Sequence, residues 1–190
     1  KLYSTKEDIR TIAGLVYQAD RIRVETRALH EHLIRMIRFD DKAARQERDG
    51  FPLRNLEAGR GGEWFLRMTR TWSVMRVFNR IGLSRIVPLI SYQGILQAPL
   101  VGLLKCPDAR SKTIVKGGRA LERLWLTATR MGLSFQPMTA ITLFWMRWRM
   151  KQLDVFDEKQ RRMLRSLWEA YHHIFDVAPD SPEGHVMLFR

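Results

Sequence analysis

Residues Gly117 to Ala140 read GGRALERLWLTATRMGLSFQPMTA, and this stretch decides how the rest of the chain is read. Leu121, Leu124, Trp125, Ala128 and Met131 recur at three- and four-residue steps, which places them on one helical face. Arg119, Glu122, Arg123, Thr127 and Arg130 fill the other face. Gly117 and Gly118 suit a tight entry turn, and Gly132 suits a left-handed cap after residue 131. Leu133-Ser134-Phe135 then alternates like a short strand. Pro137 has no N–H to donate and restricts Gln136, so regular pairing is expected to fail there. A helix that stops and delivers a short strand into an irregular loop is a common way of presenting main-chain N–H groups to a ligand.

Working outward, the segment before this helix, Gln97 to Lys105, holds the apolar run Ala98-Pro99-Leu100-Val101-Gly102-Leu103-Leu104. It has the character of a strand covered on both faces. Ile86 to Ile95 is read as a second strand, and Val186 to Arg190 as a last one. After Ala140, residues 143–151 interleave aromatic and basic side chains. That pattern can stack bases, but at helical spacing it fits an amphipathic segment with snorkelling arginines better. A final helix is expected from Asp157 or Glu158 to Ile174, with Met163, Leu164, Leu167, Trp168 and Tyr171 facing inward. His172 and His173 close it, where the helix dipole favours a cation.

At the N-terminal end, Ser4-Thr5 ahead of Glu7-Asp8 supplies capping chemistry, and Ile9, Ile12, Ala13, Val16 and Tyr17 form an apolar stripe. A second helical segment spans Val24 to Phe39, with Leu29, Leu33, Met36 and Ile37 on one face. His30 and His32, two residues apart, point in different directions and read as surface or boundary side chains. Asp40 to Gly50 is turn-like, Phe51-Pro52 extended, and the glycines around Arg60 form a loop. Glu63 to Phe78 carries Trp64, Phe65, Met68, Trp72, Met75 and Phe78 as the large apolar residues of one helix.

Composition sets the wider bounds. The chain has 190 residues, 45% hydrophobic and 28% charged, which is the make-up of a folded domain with a real core. Thirty-three Lys and Arg against twenty Asp and Glu leave +13, an excess that favours anionic partners without choosing among them. Cys106 is the single cysteine, so an internal disulfide and a cysteine-based zinc site are both excluded, which suits a reducing, cytoplasmic setting. No apolar run reaches the roughly 20 residues of a membrane span. The chain starts on Lys1 and stops inside an apolar run, and both ends are expected to continue into a longer protein. No HExxH, GxSxG or Cys–His arrangement is present, so any chemistry is expected to belong to a cofactor.

The stretch from Gly118 to Ala140 resembles the second-half signature of the FMN-dependent nitroreductase superfamily: a central helix, a Gly-Leu stop, a short strand and a proline-containing loop. Gln97 to Leu104 is similar to the strand that precedes that helix, and Val186 to Arg190 to a late strand of the family. The nearest flavour is a divergent branch, some of whose members are fused to adenylyltransferase-like domains. The resemblance implies one partial domain over residues 1–190, an α+β nitroreductase-like fold with a central antiparallel or mixed sheet flanked by helices, and a homodimer. It implies FMN as cofactor, NAD(P)H as reductant and an electrophilic acceptor. Gln136, Pro137, Met138, Thr139 and Ala140 match the flavin-site loop, where main-chain N–H groups at Thr139 and Ala140 would meet the reactive edge of the flavin. The family's arginine-rich phosphate motif and its Pro-Ser-x-x-Asn-x-Gln-Pro segment have no counterpart. The other reading is a catalytically inactive, basic interaction module that binds nucleic acid or a partner domain through its arginines.

Overall fold

A computed structural model describes residues 1–47, 49–56, 59–82 and 85–190, with only the main chain at Arg60. In chain order the elements are β1 (Leu2–Tyr3), α1 (Lys6–Glu25), α2 (Arg27–Met36), β2 (Ile37–Arg38), α3 (Asp41–Glu47), β3 (Phe51–Pro52) and, after a 3₁₀ turn at Leu53–Leu56, α4 (Gly59–Met68). They continue with α5 (Trp72–Arg80), α6 (Val87–Leu96), β4 (Val101–Cys106), α7 (Ser111–Arg130), β5 (Pro137–Met138), α8 (Thr139–Arg149), α9 (Glu158–Phe175) and β6 (Gly184–Phe189). The chain is α+β. It divides into two compact units, Lys1–Asp20 with Pro88–Arg190, and Arg21–Val87.

The larger unit is built on a four-stranded antiparallel sheet in the order β1-β4-β6-β5. β4 and β6 are its inner strands, and their apolar residues Val101, Leu103 and Leu188 are all but inaccessible to solvent. The register between them slips at Leu104/Lys105, a bulge that leaves Lys105 opposite His185 and Cys106 opposite Gly184. α9 supplies the opposing core through Leu164, Leu167, Trp168, Tyr171 and Phe175. Its start is fixed by a capping box, in which Asp157 Oδ1 accepts from Gln160 N and Gln160 Oε1 accepts from Asp157 N. α1 follows the expected stripe, with Ile9, Ile12, Ala13 and Val16 buried, and Thr5 Oγ1 accepts from Asp8 N at its entry.

α7 begins seven residues ahead of Gly118, at Ser111, so Gly117 and Gly118 lie inside the helix and form no entry turn. The reason is tertiary. A Cβ on Gly117 would run into Val186 Cγ2, and the missing side chain lets α7 lie close on β6. Its C-terminus is as expected: Gly132 has φ +73°, Leu133 N donates to Ala128 O at 2.9 Å and Gly132 N to Thr129 O at 3.0 Å, a Schellman stop. The large residues of the predicted inner face are another matter. Leu124, Trp125 and Met131 are 38, 41 and 67% exposed, because α7 turns Ile114, Gly117, Leu121 and Ala128 inward instead. Leu133 to Phe135 forms no strand. The pairing begins at Pro137, which sits on the edge strand β5 where its missing N–H costs no ladder bond.

Ile86 to Ile95, expected as a strand, is the helix α6; its apolar residues go all round, so the sequence shows neither period. In the smaller unit β2 and β3 pair in parallel, Ile37 with Phe51 and Arg38 with Pro52. Asp41–Glu47 is helical where a turn was expected, and the glycines at 59–62 open α4 where a loop was expected. The single helix expected over 63–78 breaks between Met68 and Trp72 into α4 and α5. His32 is exposed, but His30 is buried against Trp72 at 5.6 Å between ring centres, which corrects its surface reading. Burial holds the His30 imidazole below its ordinary pKa.

Candidate functional site

The loop singled out in the sequence falls at the junction of β5 and α8. Gln136 exchanges main-chain bonds with Arg190, N to O at 2.8 Å and O from N at 3.0 Å, so the strand pairing effectively reaches Gln136. Its side-chain oxygen is also held, by the Arg190 guanidinium, which donates from its other terminal nitrogen to Gly94 O at 2.6 Å. Pro137 and Met138 pair with Phe189 and Leu188. Thr139 opens α8 and is exposed, whereas Ala140 is buried. Met138 is the N-cap, and no side chain caps the helix. The first N–H groups of α8, from Thr139 onward, therefore have no side-chain acceptor at the positive end of the helix dipole. Four of the five predicted residues belong to regular structure, Pro137 and Met138 to β5 and Thr139 and Ala140 to the first turn of α8.

At the other end of α8 lies a polar group within an aromatic cluster. Trp145 stacks on Tyr171 at 5.2 Å and on His185 at 5.0 Å, and the Arg149 guanidinium lies 5.8 Å from the Trp145 ring centre. The interleaved 143–151 segment is thus amphipathic: Phe144 and Trp145 are core residues, and Arg149 reaches out along them to donate to Ser181 O at 2.6 Å and Glu183 O at 2.8 Å. Tyr171 Oη and His185 Nδ1 are 2.6 Å apart. Burial pushes the Tyr171 phenol well above its ordinary pKa, so it stays protonated, and since the described residues offer its O–H no other acceptor, it is assigned as donor to Nδ1. His185 then carries its own proton on Nε2, and that buried atom has no partner.

Burial, with Lys105 and Arg149 adding to it against Glu183, lowers the His185 pKa to about 4, so the ring is neutral at pH 7. Glu183 is paired with Lys105 at 2.8 Å, and that bond holds its carboxyl below the usual range. Cys106 is a poor nucleophile: its Sγ donates towards Asp108 O and Gly184 O, and burial raises its pKa. The sequence reading passed over His185, though one signal was available. A single imidazole inside the apolar run Gly184-His185-Val186-Met187-Leu188 must be either paired or functional. His172, read as a helix-end cation, bonds through Nδ1 to Val177 O at 2.7 Å.

Comparison with known proteins adds little. No family profile matches the chain, and no solved structure matches it. A curated relative, the uncharacterized protein MT1398 of Mycobacterium tuberculosis (strain CDC 1551 / Oshkosh), is 24% identical over 191 residues, covering 100% of this chain and 26% of its own length. The chain spans about a quarter of that relative. Among the described residues, no helix is long and apolar enough to cross a membrane.

Proposed function

We propose that the chain contributes to an FMN-dependent oxidoreductase of the nitroreductase type, working as a homodimer with NAD(P)H as reductant. The observation that carries the reading is the uncapped start of α8, which follows the Gln136–Met138 run that resembles the family's flavin loop. What supports a fit to one edge of FMN is the start of α8, where the Thr139 and Ala140 main chain would be the donors to an electron-rich ring edge and the helix dipole favours negative charge. FMN, when bound, supplies two-electron transfer between the nicotinamide and an electrophilic acceptor. The chain's part is to hold that edge and to fix its approach through the Pro137–Met138 pairing with β6. Arg190 is already engaged with Gly94 and Gln136, so the phosphate would need a cradle from elsewhere.

Two further features support the reading. The exposed apolar residues of α7 suit a dimer that buries this helix. The greater length of the relative leaves room for an adenylyltransferase-like partner domain.

The test is the visible absorption spectrum of the intact protein, followed by an FMN titration of two variants. Flavin bands are expected in the purified protein. Gly132→Val, which forces a β-branched residue to φ +73°, is expected to weaken FMN binding, and Thr139→Ala to leave it unchanged. A colourless protein that fails to take up FMN would favour the interaction-module reading instead.

A further inference from the structure

A cleft of about 340 Å³ opens between the first turns of α7 and the last turn of α8, on the larger unit and away from the α8 N-terminus. Its walls include Ile114, Val115, Met146 and Met150, together with Arg149 and His185. Most of the lining is apolar, and Ser111 and Glu183 complete its polar part. His185 is buried to the point that its side chain is inaccessible to solvent, yet Nε2–H has no acceptor; the nearest carboxylate oxygen, on Glu183, is 3.9 Å away and committed to Lys105. A buried donor without a partner is costly in a finished core. It is retained at little cost when a ligand supplies the acceptor.

The charges specify the acceptor. Arg149 spends one nitrogen on two carbonyls and pairs with no carboxylate among the described residues. Lys105 and Glu183 cancel one another, so the positive charge of Arg149 is left over. The α7 N-terminus is already served by the Asp108 carboxylate, which accepts from Arg110 N at 3.0 Å, so the charge that remains is that of Arg149. An unpartnered buried donor, a guanidinium with no carboxylate partner, a Glu183 carboxylate already neutralised by Lys105 and an apolar volume point to an amphiphile with an anionic head. We propose that this cleft binds a medium-chain carboxylate, its tail among Ile114, Val115, Met146 and Met150 and its head received by His185 Nε2–H and Arg149. The two methionines, unbranched and adaptable, give way to admit the head.

The experiment is calorimetric titration of the intact protein with octanoate and, separately, octan-1-ol, with a thermal melt of each variant. Saturable one-to-one binding of octanoate is expected, and none of octanol. His185→Asn keeps an acceptor for Tyr171 but loses the Nε2 donor, and should weaken octanoate about tenfold or more. His185→Gln, which restores a donor near Nε2, should recover most of the affinity. Val115→Trp changes an exposed wall residue, so it should block the cleft without moving the melt. Equal binding of octanol, wild-type affinity in His185→Asn, unimpaired binding in Val115→Trp, or no saturable octanoate binding at millimolar concentration would each overturn the proposal. FMN binding should be indifferent to all three substitutions.

Discussion

Gly117 and Gly118 are neighbours in one helix and should respond oppositely to the same substitution. Gly118 has nothing within 4 Å of the place where a Cβ would go, so Gly118→Ala should stabilise the chain by about 0.5–1 kcal/mol through helix propensity. At Gly117 the same methyl meets the Val186 side chain, and Gly117→Ala should destabilise. Paired denaturant melts of the two variants test this, and equal shifts would mean that α7 does not lie on β6 as described. His185 gives a second residue-scale expectation. Its folded pKa is about 4 against an ordinary 6.5, so the unfolded chain takes up the proton first as pH falls. Stability should be complete above about pH 6.5 and decline as pH falls towards 4, by up to about 3 kcal/mol. His30, also lowered by burial, acts in the same direction, so His185→Gln should reduce the slope between pH 6.5 and 4.5 without flattening it. Urea melts across that window are the measurement.

At the scale of elements, α7 is the one whose packing and pattern disagree most. Val115 and Leu126 on α7, and Met131 and Leu133 just after it, are 65, 64, 67 and 57% exposed, a large apolar surface to leave in water. If α7 pairs with its copy in a dimer, Leu126→Glu should shift sedimentation from dimer to monomer while leaving the monomer's fold intact, since that side chain touches little within its own chain. An unchanged sedimentation coefficient would remove α7 from the dimer.

How legible an element was depended on where its stabilisation comes from. α9 could be read to within a residue because Asp157, Gln160 and the inward stripe from Leu164 to Tyr171 are all local signals. The Gly132 stop was readable for the same reason. The start of α7 was hidden, since what makes Gly117 acceptable inside a helix is Val186, nearly seventy positions away. α6 was hidden because Val87-Pro88-Leu89-Ile90 offers no period, and short apolar runs do not distinguish strand from helix. The candidate loop was located in the sequence, but the pairing that takes Gln136, Pro137 and Met138 out of it depends on β6 and Arg190. His185 stood out in the sequence only as an imidazole inside an apolar run, and its role as partner of Tyr171 and Trp145 depends on residues far along the chain.

For the molecule as a whole, the charge of +13 is spread over many helices, and many arginines are already bonded, Arg38 to Asp49 and Glu47, Arg21 to Glu25 and Arg27 to Glu31 among them. Adsorption to nucleic acid should therefore be weak, indifferent to sequence and steeply dependent on salt. Filter binding at 50 and 300 mM NaCl tests it; tight binding that survives the higher salt would favour the interaction-module reading over the flavoenzyme.

The strand order β1-β4-β6-β5 also dictates when this protein can become itself. The inner strand β6, at residues 184–189, is made after β1, β4 and β5 and must slot between strands already made; Lys1 N donates to Leu103 O at 2.9 Å, and residues 21–87 come between those partners as a unit of their own. On the ribosome, β4 and β5 would wait side by side without a common neighbour until residue 189 cleared the exit tunnel. The smaller unit can finish early; the larger cannot. Synthesis that stalls at residue 183 would leave two unsatisfied strand edges and a coreless α9 exposed to whatever else is nearby, which makes the wait for residues 184–189 the moment at which this unit most needs a chaperone.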